Sequence, residues 1–193
     1  ANSLADAQNV HFVKVPYHPI EDFAQIGWIV DGPPVVLVVY AGLPYKTLGD
    51  LVTDAKANPN KISFGTSGPA SSPAMALALL NSAAGINVVG VPYRGSGEAA
   101  RSVAGGAIQG VFTFYSQAKP LVDDGKVRAL AVAAPKRIPG WPDVPTFQEL
   151  GYKIDFRGFV GLAAPAKTPK PIVDYLSKQL NAVTQSDAFK SRM

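Results

Sequence analysis

Val35-Val36-Leu37-Val38-Val39-Tyr40 decides the fold of this 193-residue chain. The run is almost wholly β-branched and carries no charge, the composition of a strand covered on both faces. A strand with one wet face would alternate instead. Beyond it Thr47, with Asp50 three residues on, makes a capping-box variant. Leu48, Leu51, Val52 and Ala55 then fall on one helical face, and Asn58-Pro59 ends the helix. The alternation continues. Lys61–Phe64 is predicted as a strand, Gly65–Ser72 as a loop, and Pro73–Ala84 as a helix stopped by Gly85. Asn87–Val91 is the next strand, with a turn through Pro92 and Gly95. A helix over Ser96–Ala104, with Ser96 as its cap, ends at Gly105-Gly106.

Gly110–Tyr115 and Arg128–Ala134 read as further strands, joined by a short helix over Gln117–Asp123 capped by Ser116. Pro135–Pro145 is an irregular crossing with four prolines, and Thr146 caps a short helix ended by Gly151. Asp155–Ala163 is the last predicted strand. Thr168-Pro169 opens a helix striped by Ile172, Leu176, Leu180 and Val183. The whole predicts an α/β fold, a parallel sheet covered by helices. Gly32-Pro33-Pro34 and the glycine-punctuated Gly158–Ala164 stand where the chain would cross between two lobes.

Composition narrows the chemistry. Apolar residues are 47% and charged ones 17%, enough for a core and too few for a disordered polyelectrolyte. The longest apolar runs, Val35–Ala41 and Ala74–Leu80, have seven residues, against about 20 for a membrane span. The absence of cysteine excludes disulfides, thiolate metal sites and cysteine nucleophiles. The net charge of +4 is spread along the chain, with no basic run longer than Lys136-Arg137, so no nucleic-acid partner is expected. His11 and His18 are too few for a metal site and no HExxH spacing occurs. Gly65-Thr66-Ser67-Gly68-Pro69 is not a nucleophile elbow, because Pro69 replaces its last glycine. Gly95-Ser96-Gly97-Glu98-Ala99-Ala100 matches the dinucleotide spacing, yet Pro92-Tyr93-Arg94 separates it from the strand. No cofactor is expected, and nothing points to catalysis.

The best candidate site is the loop Gly65-Thr66-Ser67-Gly68-Pro69-Ala70-Ser71-Ser72-Pro73. Its residues are small or hydroxyl-bearing, so backbone N–H groups are open to a ligand. It leads into a helix N-terminus, where unpaired N–H groups favour negative charge. No P-loop lysine is present, which favours a carboxylate over a nucleotide phosphate. The other reading is a plain capping loop, with Ser71 or Ser72 as N-cap and Pro73 in the first turn.

Several segments come in one order: Pro92-Tyr93-Arg94-Gly95, Gly105-Gly106, Gly125-Lys126-Val127-Arg128-Ala129-Leu130-Ala131-Val132, Lys136-Arg137, Pro142-Asp143-Val144-Pro145-Thr146-Phe147, Glu149-Leu150-Gly151 and Ala164-Pro165. Together they resemble the Bug family, the periplasmic substrate-binding proteins of tripartite tricarboxylate transporters. Pro19–Phe23 resembles that family's Asp-Pro-x-x-Asp-Phe segment, with His18 in place of its first Asp. Gly65–Ser72 resembles its Gly-Ser-x-Gly-x-Gly-Ser loop, with Thr66, Pro69 and Ala70 as variations, and Ala74 replaces a common His.

The resemblance implies a two-lobed, Venus-flytrap, type II periplasmic-binding-protein fold that binds a small organic carboxylate. It implies delivery to membrane permease subunits without catalysis, in the periplasm, with no signal peptide in this chain. It places the ligand on Thr66, Ser67, Gly68, Ala70, Ser71 and Ser72, with Tyr115 and Phe159 at strand ends beside them. The family's N-terminal Pro-x-x-Pro-Gly-Gly loop is not found here. The expected division is therefore a partial first lobe over 1–39, a second lobe over 40–157, and a return to the first over 158–193. An incomplete lobe would expose apolar surface and favour self-association. The alternatives from other classes are an effector-sensing domain of a regulatory protein and an enzyme on the same scaffold.

Overall fold

A computed structural model describes residues 2–3, 10, 14–32, 34–68, 71–154 and 159–191. The strands are β1 (Asn2–Ser3), β2 (Phe23–Asp31), β3 (Val35–Tyr40), β4 (Ser63–Thr66), β5 (Val89–Pro92), β6 (Gly110–Phe114), β7 (Val127–Ala133) and β8 (Phe159–Pro165). The helices are α1 (Leu48–Ala57), α2 (Ser72–Ala84), α3 (Ser96–Ala104), α4 (Tyr115–Asp123), α5 (Lys170–Gln185) and α6 (Asp187–Lys190). They fall into two compact units, residues 1–32 with 158–193, and residues 33–157.

The second unit is built around a five-stranded sheet of order β5-β4-β6-β3-β7. Every residue from Val35 to Val39 is fully buried, as the unbroken β-branched run requires. The sheet is mixed, however, and not parallel throughout. β4 runs parallel to β5 and β6, but β3 is antiparallel to both β6 and β7. An all-apolar strand reports burial on two faces and not its direction. The strand expected to cross out of the first lobe up to residue 39 therefore lies inside the second unit, paired on both sides.

The two faces of the sheet carry different packing. On one, Val36, Val38 and Val111 meet Ala99, Ala100 and Val103 of α3 and Ala118 of α4. Gly65 is needed there, since a Cβ on it would lie 2.6 Å from that of Ala99. The other face holds Phe64, Phe112 and Phe147, with ring centroids 6.2 and 5.9 Å apart. The outer edge of β7 is covered by the turn after the proline crossing: Val132 N–H donates to Pro145 O and Phe147 N–H to Val132 O. Unit one has a three-stranded sheet, β1-β8-β2, with both pairings antiparallel.

Several local predictions shift. Thr47 and Asp50 do form a reciprocal capping box. Ser96 is not the cap of α3: Gly95 is, and the Ser96 hydroxyl bonds elsewhere. α4 starts at Tyr115 from Phe114, without a Ser116 cap, because the strand runs straight into the helix. Thr146 caps a turn and not a helix, exchanging bonds with Glu149 (2.7 and 3.1 Å). The last strand begins at Phe159, and residues 155–158 of the predicted one lie outside the described residues.

Phe112 touches both neighbouring rings and is fully buried. Phe112→Ala should cost about 3–5 kcal/mol of unfolding free energy, read from urea titrations. Acid will also destabilise the fold. Thr146 N–H and then Arg137 hold Glu149 below the usual carboxylate range, and Lys46 and Thr47 N–H groups do so for Asp50. Depressed carboxylates stabilise above their unfolded pKa, about 4, and that contribution is lost as pH falls through the lower folded value. The urea midpoint should drop below about pH 4, with a flatter acid limb in the Asp50→Asn/Glu149→Gln double variant.

Candidate functional site: the β4–α2 loop

Parallel pairing puts the carboxyl ends of β4, β5 and β6 on one edge of the second unit. Each strand there feeds a helix: β4 into α2, β5 into α3 and β6 into α4. Three helix N-termini thus meet at one edge, where unpaired N–H groups and aligned peptide dipoles favour anions.

The loop from β4 to α2 divides its donors into spent and unspent. Ser71 is the N-cap: its hydroxyl donates to Gly68 O at 2.6 Å and accepts from Ala74 N–H at 3.3 Å. Its own N–H also goes to Gly68 O, and Met75 N–H goes to Ser71 O. Thr66 is buried, and its carbonyl accepts from Tyr93 N–H at 2.7 Å. By contrast, the N–H groups of Ser67, Gly68 and Ser72, and the hydroxyls of Ser67 and Ser72, bond to no described residue. Gly68 has a φ of 103°, left-handed backbone that suits glycine, and a Cβ there would meet nothing within 4 Å. Among the described residues, the space over Gly68 is therefore open.

The predicted site residues do not all gather there. Thr66, Ser67, Gly68, Ser71 and Ser72 belong to this loop, with Ser71 spent on the cap. Ala70 lies outside the described residues. Tyr115 sits at the same edge, but its ring packs edge-on against Trp141 at 4.8 Å, with its hydroxyl close over Gly140. That is aromatic packing on the core. Phe159 belongs to β8 of the first unit, opposite Asp31 of β2, and its side chain lies outside the described residues. One polar cluster at this edge was missed from sequence. Gln117 Oε1 accepts from Thr113 and Ser96 hydroxyls at 2.7 and 2.8 Å. Only the i, i+4 spacing of Thr113 and Gln117 was visible in advance.

Two hollows elsewhere in this unit offer less. One of about 350 Å³, lined by Thr66, Ala74, Leu77, Asn81, Val88 and Pro92, is largely apolar, and Asn81 spends its amide on Val88. Another of about 540 Å³ holds Tyr45, Asp50 and Asp54. Asp50 is committed to its cap there. Asp54 accepts from the Tyr45 hydroxyl and from Asn58. Burial, then the hydrogen bond to Asp54, pushes Tyr45 above its ordinary pKa. Among the described residues no group of three metal-ligating side chains occurs, and no helix is long and apolar enough to cross a membrane.

The model of the tripartite tricarboxylate transporter family receptor, TctC, matches residues 1–193. The chain belongs to that family. Solved relatives share its mixed α/β fold. Rpa4515 of R. palustris, solved with adipate, has a TM-score of 0.84 at 27% identity, covering 99% of this chain and 64% of its own. The periplasmic binding protein BugD has a TM-score of 0.83 at 31% identity, covering 99% and 64%. MatC of Rhodopseudomonas palustris, solved with bound malate, has 0.83 at 28% identity, covering 98% and 65%. The chain spans about half the length of the curated relatives it matches.

The two serines flanking the loop should separate by variant. Ser71→Ala removes the cap and should cost about 1 kcal/mol in urea unfolding. Ser67→Ala, with no described partner, should leave the unfolding midpoint unchanged.

Proposed function

We propose that this receptor chain captures a small organic acid with two or more carboxylates, held at the β4–α2 loop. The observation that carries the reading is the set of unspent donors on Ser67, Gly68 and Ser72 at the N-terminus of α2. Backbone N–H groups and hydroxyls at a helix start bind a carboxylate without a formal cation. Adipate and malate, the ligands of Rpa4515 and MatC, are both dicarboxylates, which supports the class.

On this reading residues 33–157 form one lobe, and residues 1–32 with 158–193 belong to the other. The chain's role is capture in the periplasm and delivery to membrane permease subunits, with no bond made or broken. The exposed Ile172, Tyr175, Leu176 and Val183 of α5 favour a second, self-associating role for the first unit. Sedimentation of a strict monomer at all concentrations would remove that part.

The test is a residue-resolved ¹⁵N titration of the chain with malate, adipate and citrate. Amide resonances of Ser67, Gly68 and Ser72 should shift saturably with at least one acid. Ser71→Asp should abolish the response, because a carboxylate can still cap α2 but repels the ligand. Loop amides silent toward all three acids would overturn the assignment.

A further inference from the structure

We propose that Asn81 is a guard on the open edge of the five-stranded sheet, and that without it β5 pairs with β5 of a second copy of this chain. β5 ends the strand order and is bonded only to β4. Val89 N–H donates to Ile62 O and Tyr93 N–H to Thr66 O, at 2.9 and 2.7 Å. Backbone groups point to alternate sides along a strand, so Val88, Gly90 and Pro92 turn theirs outward. The same three residues border the hollow of about 350 Å³ beside α2, and no described strand pairs with this edge.

The outward positions differ in what they offer. Val88 would present an N–H and a carbonyl, but Asn81 takes both. Its Oδ1 accepts Val88 N–H at 3.1 Å, and its Nδ2 donates to Val88 O at 3.0 Å. A carboxamide carries the same donor and acceptor as a peptide unit, so one side chain stands in for the next strand. Asn81 is held there by the end of α2, where its own carbonyl accepts Gly85 N–H and Ile86 N–H. Pro92 has no N–H to offer. Gly90 is left, and its N–H and carbonyl bond to no described residue. At the opposite edge Val132 of β7 is satisfied by backbone, from Pro145 and Phe147. One edge is thus stopped by a chain segment and the other by a side chain.

The guarded edge is self-complementary. In an antiparallel two-fold pair centred on Gly90, each Gly90 would exchange both bonds with its copy, and each Val88 would face Pro92 of the other. Val88 N–H groups would then reach Pro92 carbonyls. With Asn81 in place those donors are spent and only the glycines can meet, too little to offset the entropy of association. Open edges are commonly blunted in this way against pairing with another chain. The inference does not depend on the β4–α2 loop being the solute site.

The test compares Asn81→Ala, Asn81→Asp and the double variant Asn81→Ala/Gly90→Pro with the unsubstituted chain, by sedimentation and by amide exchange at Gly90. Both single variants lose the bond to the Val88 carbonyl, so a merely structural role predicts one behaviour for both. The guard predicts a split. Asn81→Ala should associate beyond the unsubstituted chain, with Gly90 exchange slowing about ten-fold or more from micromolar to millimolar protein. Asn81→Asp should not, because a carboxylate still takes the Val88 N–H and is costly to bury beneath a second strand. Gly90→Pro removes the remaining edge donor and should return Asn81→Ala to the sedimentation of the unsubstituted chain. A Cβ at residue 90 meets only Thr66 and Leu77 side chains, at 3.4 and 3.5 Å, so the fold accommodates it. Asn81→Ala sedimenting like the unsubstituted chain, or Asn81→Asp associating as much as Asn81→Ala, would overturn the proposal. Association through α5 of the first unit would appear in every variant alike and leave Gly90 exchange independent of concentration.

Discussion

The structure of the larger unit depends on one strand with no exposed side. Val35–Tyr40 is hydrogen-bonded by β6 on one edge and β7 on the other, and both of its faces are packed. Each fully buried Val or Leu contributes about 1.5–3 kcal/mol relative to exposure. A slip of one residue would exchange the two sets of side chains between faces of different shape. The aromatic face and the face under α3 are therefore both fixed by this strand's register. That register also sets how far β6 reaches before it turns into α4 at Tyr115.

From that constraint the edge chemistry follows. β6 is parallel to β4, and β4 to β5, so three strands end together and three helices begin together. A helix start has more N–H groups than partners, and the chain answers differently at each. α2 uses Ser71 as a side-chain cap, α3 uses Gly95 and returns the Glu98 carboxylate to Arg94, and α4 has no side-chain cap. In the β4–α2 loop the donors without a described partner lie on Ser67, Gly68 and Ser72. Small side chains are the reason: they bury little, so the backbone beside them stays open.

Much of this was legible in the residues. The capping box at Thr47, the Gly85 stop of α2 and the β-branched run each carry their own local physics, and each stands where it was read. The ordered family segments gave the family. Less legible was anything that needed a partner from far along the chain. Ser96 reads as a cap because serine before a helix usually is one, yet Gln117 takes its hydroxyl from another helix. Tyr115 ends β6, and which ring it packs on is decided by Trp141, from far along the chain.

The sequence by itself determined the alternation of strands and helices, the depth of burial of β3, and a hydroxyl-rich loop before α2. These are properties of neighbouring residues, set by backbone propensity and short-range hydrogen bonds. Only the tertiary structure decided that β3 runs antiparallel between β6 and β7, which of the loop's donors are spent, and that Gln117 accepts from both Thr113 and Ser96. Strand direction and donor partnership are settled by residues tens of positions apart, and no local pattern encodes which of them will meet.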